Sequence, residues 1–154
     1  MANKKAIILT TGVFDILHPG HVALFEMIWD QILTKYVITE TDYPWPQLVV
    51  GINGDRRAAE LKSVVAFSAE ERKAILDGCG YVSEVVIFEE DTPEELIRRL
   101  KPVVFIKGGD YTHKDLPEAA ACAEIGTKII MLPLIGKNGK KYSSTEIKDR
   151  LSHH

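Results

Sequence analysis

Continuous apolar runs alternate along the chain with segments whose apolar residues recur at helical spacing. The continuous runs predict strands that are buried on both faces, and they cover residues 6–9, 48–52, 85–88, 103–106 and 128–132. The helical pattern falls between them, over 19–38, 70–77, a segment opening at Thr92, 116–125 and 144–151. This alternation predicts an α/β fold: a single-domain, Rossmann-like, doubly wound parallel five-stranded sheet with helices on both faces.

Local signals mark where several of these helices begin and end. Ser68 and Glu71 form a capping-box pattern ahead of the second helix. Thr92 and Pro93 supply a cap residue and a proline at the first helical position of the next one. Gly126 ends the helix before the last strand. In such sheets ligands bind beyond the carboxyl ends of the strands, so polar residues that follow strands are the candidates for function.

Composition narrows the class of protein. The chain has 154 residues, of which 45% are hydrophobic and 27% charged, with a formal net charge of -3. These values are typical of a soluble globular protein and argue against a nucleic-acid or membrane-surface binder.

Cys79 and Cys122 are far apart and are interpreted as reduced thiols. The first apolar run is too short for a signal peptide or a membrane span, which predicts a cytoplasmic protein. We expect one domain over 1–152, with 153–154 a tag remnant.

Two histidines follow the first predicted strand at the start of a helix. His18 and His21 are three residues apart, so they face the same side. Free backbone N–H groups at the helix N-terminus favour an anion such as phosphate, and Gly20 allows a close backbone or ligand approach. Imidazoles beside a phosphate can donate hydrogen bonds that strengthen as charge builds in a transition state. The alternatives are an inconsequential loop pair or half of a metal site.

The segment from Thr11 to Asp15, followed by His18-Pro19-Gly20-His21, resembles the cytidylyltransferase-like nucleotidyltransferases, whose hallmark is His-x-Gly-His. Their second hallmark is a Ser/Thr run that opens the last helix, matched here by 143–145. Alone, that run is a plain N-cap; beside the histidine motif it predicts a triphosphate site. The resemblance implies these nucleotide-binding residues: Thr11, Gly12, Val13, Phe14, Asp15, Gly20, Ser143, Ser144 and Thr145.

The middle of the chain points to a subfamily. The run Ile106-Lys107-Gly108-Gly109-Asp110-Tyr111, with the preceding 88–93, closely resembles the bacterial heptose 1-phosphate adenylyltransferases. It adds Lys107, Gly108, Gly109 and Asp110 to the expected nucleotide-binding residues. The glycines permit a tight turn against a base or ribose. Asp110 can accept hydrogen bonds from the ribose hydroxyls or position a cation. A simple surface turn is the alternative interpretation.

The resemblance also implies roles for polar residues around the second predicted strand. Lys62 and Arg72 match a lysine and an arginine of the family and are expected to be catalytic together with the two histidines. The expected substrate-binding residues are Asp15, Asn53, Asp55 and Lys62. Taken one at a time, Lys62 and Arg72 fit solvated helix charges equally well.

The implied activity is transfer of a nucleoside monophosphate, AMP rather than CMP, from ATP or CTP to a sugar phosphate such as heptose 1-phosphate. An acceptor oxygen attacks the α-phosphorus in line and pyrophosphate leaves, without a covalent intermediate. Mg2+ is expected to arrive on the triphosphate rather than at a protein metal site. The family further implies a homodimer with small-molecule partners only. The alternatives are a cytidylyltransferase acting on glycerol 3-phosphate or another alcohol phosphate, and a non-catalytic nucleotide-binding module.

Four departures from the family pattern bear on the acceptor. The chain has an insertion of about a dozen residues near 35–47. Four interpretations of it are open: a lid, a dimer contact, part of an acceptor pocket or a tolerated surface insertion. The family's Gly-x-x-Arg-Pro stretch is replaced by residues 63–67, and a basic loop covers 137–141. That loop is either solvated or compensates for lost phosphate contacts. Thr11 stands where the heptose enzymes usually have Asn.

Overall fold

The computed structural model describes residues 6–35, 46–108 and 116–153. Its strands are β1 (Ile7–Gly12), β2 (Gln47–Asn53), β3 (Glu84–Phe88), β4 (Val104–Gly108) and β5 (Lys128–Leu132). They form one sheet in the order β3-β2-β1-β4-β5, and every neighbouring pair is parallel. The chain moves outward from β1 in one direction to β3 and in the other to β5. The order therefore reverses between β1 and β4, where a crevice for a ligand is expected in such sheets.

Six α-helices accompany the described strands: α1 (Pro19–Met27), α2 (Asp55–Leu61), α3 (Ala69–Asp77), α4 (Glu94–Leu100), α5 (Ala119–Ile125) and α6 (Ser144–Ser152). A π-helix over Ile28–Leu33 extends α1. The capping box of Ser68 and Glu71 at the start of α3 is confirmed. Helix α4 begins at Glu94, with Pro93 rather than Thr92 as its N-cap residue.

Helix α2 was not predicted, because it lacks a hydrophobic stripe. Its seven residues include one buried side chain, Ala58, so no helical periodicity stands out in the sequence. Helix α5 is shorter than predicted and begins at Ala119.

Two separate cores lie on the two faces of the sheet. One joins the sheet to α1, the π-helix and α3, through residues such as Phe25, Ile28 and Leu76. The other joins it to α4 and α5, through Leu96, Ile97 and Cys122. Side chains alternate between the faces of a strand, so Ile8 enters the first core and Leu9 the second. The doubly wound arrangement with helices on both faces is thus confirmed.

Some predictions fall outside the described residues. These are Gly109 and Asp110, residues 36–45 of the expected insertion, and His154. Among the residues that are described, no helix has the length and apolar character needed to cross a membrane.

Candidate active site

A cavity of about 530 Å³ opens at the carboxyl ends of the strands. Its walls come from the segment after β1, the start of α1, the end of α2, the segment after β3, the end of β4 and the approach to α6. This is the position that the sheet topology predicts for a ligand, and the volume suits a small molecule. Both histidines and both serines of the two sequence hallmarks line this one cavity.

The two histidines cap helix α1 with their own rings. His18 is the N-cap residue, and its Nδ1 accepts a hydrogen bond from the Gly20 backbone N–H at 3.1 Å. The Nδ1 of His21 accepts in return from the His18 backbone N–H at 3.3 Å. This is a capping box in which imidazoles replace the usual Ser/Thr and Glu/Gln. Because both Nδ1 atoms are acceptors, the hydrogen of each neutral ring lies on Nε2.

Burial keeps these rings neutral. The ring centroids of His18 and His21 lie 3.8 Å apart, and both side chains are buried. Burial lowers the pKa of His18, and burial together with the charges of His18 and Lys62 lowers the pKa of His21 to about 3. At neutral pH the pair therefore presents two Nε2–H donors and no positive charge. Fixed donors in a partly enclosed cavity suit an anionic oxygen.

Gly20 is required by the histidine pair itself. A Cβ at this position would lie 2.9 Å from Cε1 of His18 and 3.0 Å from the Leu134 carbonyl oxygen. Any larger residue would displace the His18 ring or the chain after β5. Of the two interpretations of this glycine, the structure supports close backbone approach; Gly20 does not line the cavity.

The start of helix α6 completes the same wall. Ser143 caps the helix by accepting from the Glu146 N–H at 3.5 Å, and the Ser144 hydroxyl donates to the Ile16 carbonyl at 3.0 Å. The second bond fastens α6 to the loop that precedes the histidines. The ring of Tyr142 lies 5.7 Å from that of His18. Thr145 is exposed and does not line the cavity, so its predicted nucleotide contact stays a prediction.

The carboxylate of Asp15 is already occupied by the protein. It accepts from the backbone N–H groups of Ala66 at 2.7 Å and Phe67 at 2.9 Å, and it pairs with Nζ of Lys148 at 2.5 Å. Burial alone would raise the pKa of Asp15, but these partners outweigh it and lower that pKa. Asp15 lines the cavity, yet its contacts organise the walls, since they tie the segment 62–67 to α6.

Arg72 lies beneath the cavity and does not line it. Its fully buried guanidinium donates to the carbonyls of Val13 and Asn53, each at 2.8 Å, and to that of Phe67 at 3.1 Å. Nη2 lies 3.5 Å from Asp55, whose carboxylate also accepts from the Ala69 N–H. Neither Arg72 nor Asp55 reaches the cavity, so the structure gives them positioning roles; the contacts expected of them with reactants stay predictions.

Other expected residues do line the cavity: Thr11, Gly12, Val13, Phe14, Asn53, Lys62, Lys107 and Gly108. Phe14 has a φ of 52°, the left-handed region, which lets the chain turn sharply after β1. The Lys107 ammonium lies 3.2 Å from Glu118, whose carboxylate is buried and has no hydrogen bond to any described residue.

Several lining residues were missed by sequence reasoning, among them Arg57, Glu118, Tyr142 and Lys148. Lys148 follows Ser144 by four residues, the spacing of one helical face, so that signal was available. Arg57 belongs to the unpredicted helix α2. Glu118 and Tyr142 lie in irregular segments whose course the sequence does not show.

Comparison with known proteins agrees with this geometry. A family model described as cytidylyltransferase-like matches residues 9–150, which includes both hallmark motifs. The chain belongs to the cytidylyltransferase-like family. A family member from Bordetella bronchiseptica, the D-beta-D-heptose 1-phosphate adenylyltransferase, is 36% identical over 129 residues. That alignment covers 84% of this chain and 74% of the relative.

Longer relatives match as well. The Bifunctional protein HldE of Pseudomonas aeruginosa is 34% identical over 151 residues, 97% of this chain but 29% of that protein. The corresponding protein of Campylobacter concisus is 40% identical over 115 residues, 73% of this chain and 22% of that protein. The chain thus spans less than a third of the length of these relatives.

A solved structure shares the fold. The crystal structure of the lipopolysaccharide core biosynthesis protein from Thermoplasma volcanium superposes with a TM-score of 0.59 at 22% identity, covering 91% of this chain and all of that one. At this identity the match supports the fold alone.

Proposed function

We propose that this protein is a nucleotidyltransferase that moves AMP from ATP to a sugar phosphate such as heptose 1-phosphate and releases pyrophosphate. The observation that carries the proposal is the shared cavity of the neutral histidine pair and the N-terminus of α6. The adenylyl and heptose assignments are supported by the relatives' names and by the Lys107-Gly108 end of β4 on the cavity wall.

The triphosphate is placed by two sets of donors. The backbone N–H groups at the start of α6 and the positive end of its dipole favour the phosphates. The Nε2–H groups of His18 and His21 add two side-chain donors on the same cavity. Because both rings are neutral, they bind by hydrogen bonds and add no positive charge that would hold pyrophosphate after the reaction.

The chemical step needs orientation more than proton transfer. An ionised oxygen of the acceptor phosphate attacks the α-phosphorus, a new P–O bond forms in line with the breaking one, and pyrophosphate leaves with the bonding electrons. Negative charge grows on the equatorial oxygens, which the histidine donors are placed to stabilise. No base is required because the nucleophile is already deprotonated.

The acceptor lies on the β2 side of the histidines in this proposal. Asn53 and Lys62 line that part of the cavity. The positive charge of Lys62 is close enough to lower the pKa of His21, so the lysine borders the reaction centre. A phosphate held there is next to the expected position of the α-phosphorus.

Mg2+ is proposed to enter with the nucleotide. Among the described ranges, no three His, Cys, Asp or Glu side chains cluster closely enough to hold a metal ion. The Nδ1 atoms of the two histidines and the Asp15 carboxylate already accept protein hydrogen bonds. When bound through phosphate oxygens, the ion would neutralise part of the triphosphate charge. A homodimer and a cytoplasmic location are further parts of the proposal and rest on the family resemblance.

Pyrophosphate release tests the proposal. We would assay ATP and CTP separately against sugar 1-phosphates, including heptose 1-phosphate, and against glycerol 3-phosphate and other alcohol phosphates. Release with ATP and a sugar phosphate is expected. Release with CTP alone, on alcohol phosphates, would instead establish the cytidylyltransferase alternative. Nucleotide binding without release from any acceptor would indicate a non-catalytic binding module.

A further inference from the structure

We propose that Arg57 is a second acceptor-binding cation, which together with Lys62 holds the phosphate monoester of the acceptor. This inference rests on the proposed nucleotidyl transfer and names a residue that the sequence motifs did not indicate. The observations concern the α2 wall, defined as Arg57, Leu61 and Lys62 with residues 91–93 after β3, all of which line the cavity.

The helix places Arg57 on the cavity side. Arg57 and Leu61 are one helical turn apart and both line the cavity, and Lys62 follows directly at the end of α2. The side chain of Arg57 is 26% exposed. Lys62 lines the same cavity, and its positive charge contributes to the lowered pKa of His21.

The protein holds Arg57 through two of its three guanidinium nitrogens. Its Nε donates to the Asp91 carbonyl and its Nη1 to the Glu60 carboxylate, each at 3.1 Å. Nη2 makes no hydrogen bond to any residue that the structure describes. A guanidinium held in this way is preorganised, and its Nη2–H groups are available as donors to a phosphate oxygen.

The local charges leave the wall cationic. The Asp91 carboxylate, which would repel a phosphate, pairs with Arg56 at 2.7 Å, and Arg56 also pairs with Glu60 at 2.7 Å. Two arginines thus face two acids, and Lys62 contributes a further positive charge. This chain lacks the family's Gly-x-x-Arg-Pro stretch after the lysine and has residues 63–67 instead. None of residues 63–67 is an arginine or lines the cavity, whereas Arg57 does line it.

Arg56 provides a matched control. It is adjacent in sequence and bonds to Glu60 and to the Glu89 and Asp91 segment, but it does not line the cavity. A role in merely bracing α2 against the β3 loop would therefore affect both arginines alike. Direct binding of the acceptor would make the loss of Arg57 the more severe one, because the loss of Arg56 acts on the acceptor only through the unpaired Asp91 carboxylate.

The experiment compares Arg57→Gln, Arg57→Lys and Arg56→Gln with the wild-type chain in the pyrophosphate assay. Loss of a charge-assisted bond predicts that R57Q raises the acceptor KM roughly tenfold to a hundredfold. The KM for the nucleotide should stay within about twofold. R57K should recover part of the loss. R56Q removes only the pairing of the Asp91 carboxylate, so it should raise the acceptor KM clearly less than R57Q does and leave the nucleotide KM near that of the wild type. Thermal unfolding of each variant checks that the fold is retained.

Direct binding separates this inference from the proposed function. Calorimetric titration would measure the affinity for a sugar 1-phosphate, for the unphosphorylated sugar and for inorganic phosphate. R57Q should lower the affinity for the two phosphate-containing ligands and leave the affinity for the neutral sugar unchanged. An equal loss in R56Q, a rise confined to the nucleotide KM, or unchanged acceptor binding in R57Q would overturn the assignment. If the wild type binds sugar phosphates through Arg57 but releases no pyrophosphate, the proposed reaction fails while this site stands.

Discussion

Replacement of Asp15 separates a structural carboxylate from a ligand-binding one. In the structure this side chain is 2% exposed and is paired with Lys148, which is 14% exposed. It also accepts two backbone N–H groups from the segment 62–67. Removing one partner of such a buried ion pair typically lowers the free energy of unfolding by about 3–5 kcal/mol. The loss of the two backbone hydrogen bonds is included in this figure and is not added to it. We therefore expect Asp15→Ala to lower the free energy of unfolding by about 3–5 kcal/mol.

Urea denaturation at pH 7 measures this loss, with Lys148→Met and the double variant completing a cycle. Direct pairing predicts a coupling of about 0.5–3 kcal/mol between the two sites. The pH dependence has a definite sign. Because the pKa of Asp15 is lowered from 3.8, its contribution is complete above that value and is lost as the pH falls through the lower, folded-state pKa.

Asp15→Asn should accordingly differ most from the wild type near neutrality and least in strong acid. If Asp15→Ala keeps its unfolding free energy within about 0.5 kcal/mol of the wild type but loses turnover, the reasoning is refuted. The carboxylate would then act on a ligand rather than on the walls of the cavity.

Three other predictions concern the histidine pair and α6. Gly20→Ala should lower kcat by an order of magnitude or more with the fold retained, because its Cβ would lie 2.9 Å from the His18 ring. Circular dichroism checks the fold, and a kcat equal to that of the wild type would contradict the prediction. Since the pKa of His21 is lowered to about 3, kcat should show no histidine-like step near pH 6.5, and a clear step there would show that a charged imidazole is used. Ser144→Ala should reduce stability by about 0.5–1.5 kcal/mol through loss of its bond to Ile16, whereas Thr145→Ala, at an exposed position, should leave stability unchanged and affect only the nucleotide KM.

The motifs predicted which residues meet, but not how each one acts. His18 and His21 were expected to face one side, and they do. Their tautomers could not be predicted from the sequence. They depend on hydrogen bonds from backbone N–H groups to Nδ1, which form only when His18 is the N-cap residue. Sequence spacing places a side chain on a face; it does not show which ring nitrogen is already bonded.

Polar residues near the cavity were harder to assign. Arg72 and Asp55 were expected to meet reactants, but the carbonyls of three separate segments converge on the buried guanidinium instead. The three carbonyls come together only in the folded chain, so the local sequence around Arg72 does not predict these hydrogen bonds. Conversely, Arg57 was overlooked because α2 buries so little apolar surface that its helix could not be recognised. The strands were predicted well because continuous apolar runs report burial directly.

The most direct test of the central claim is the rate of pyrophosphate formation by His21→Ala at saturating ATP and acceptor. Loss of one fixed donor to the transition state predicts a fall in kcat of roughly 10²–10³-fold, a much smaller loss of nucleotide affinity and an intact fold. A variant that releases pyrophosphate at the wild-type rate would contradict the account, because the stacked histidines would then have no part in the reaction.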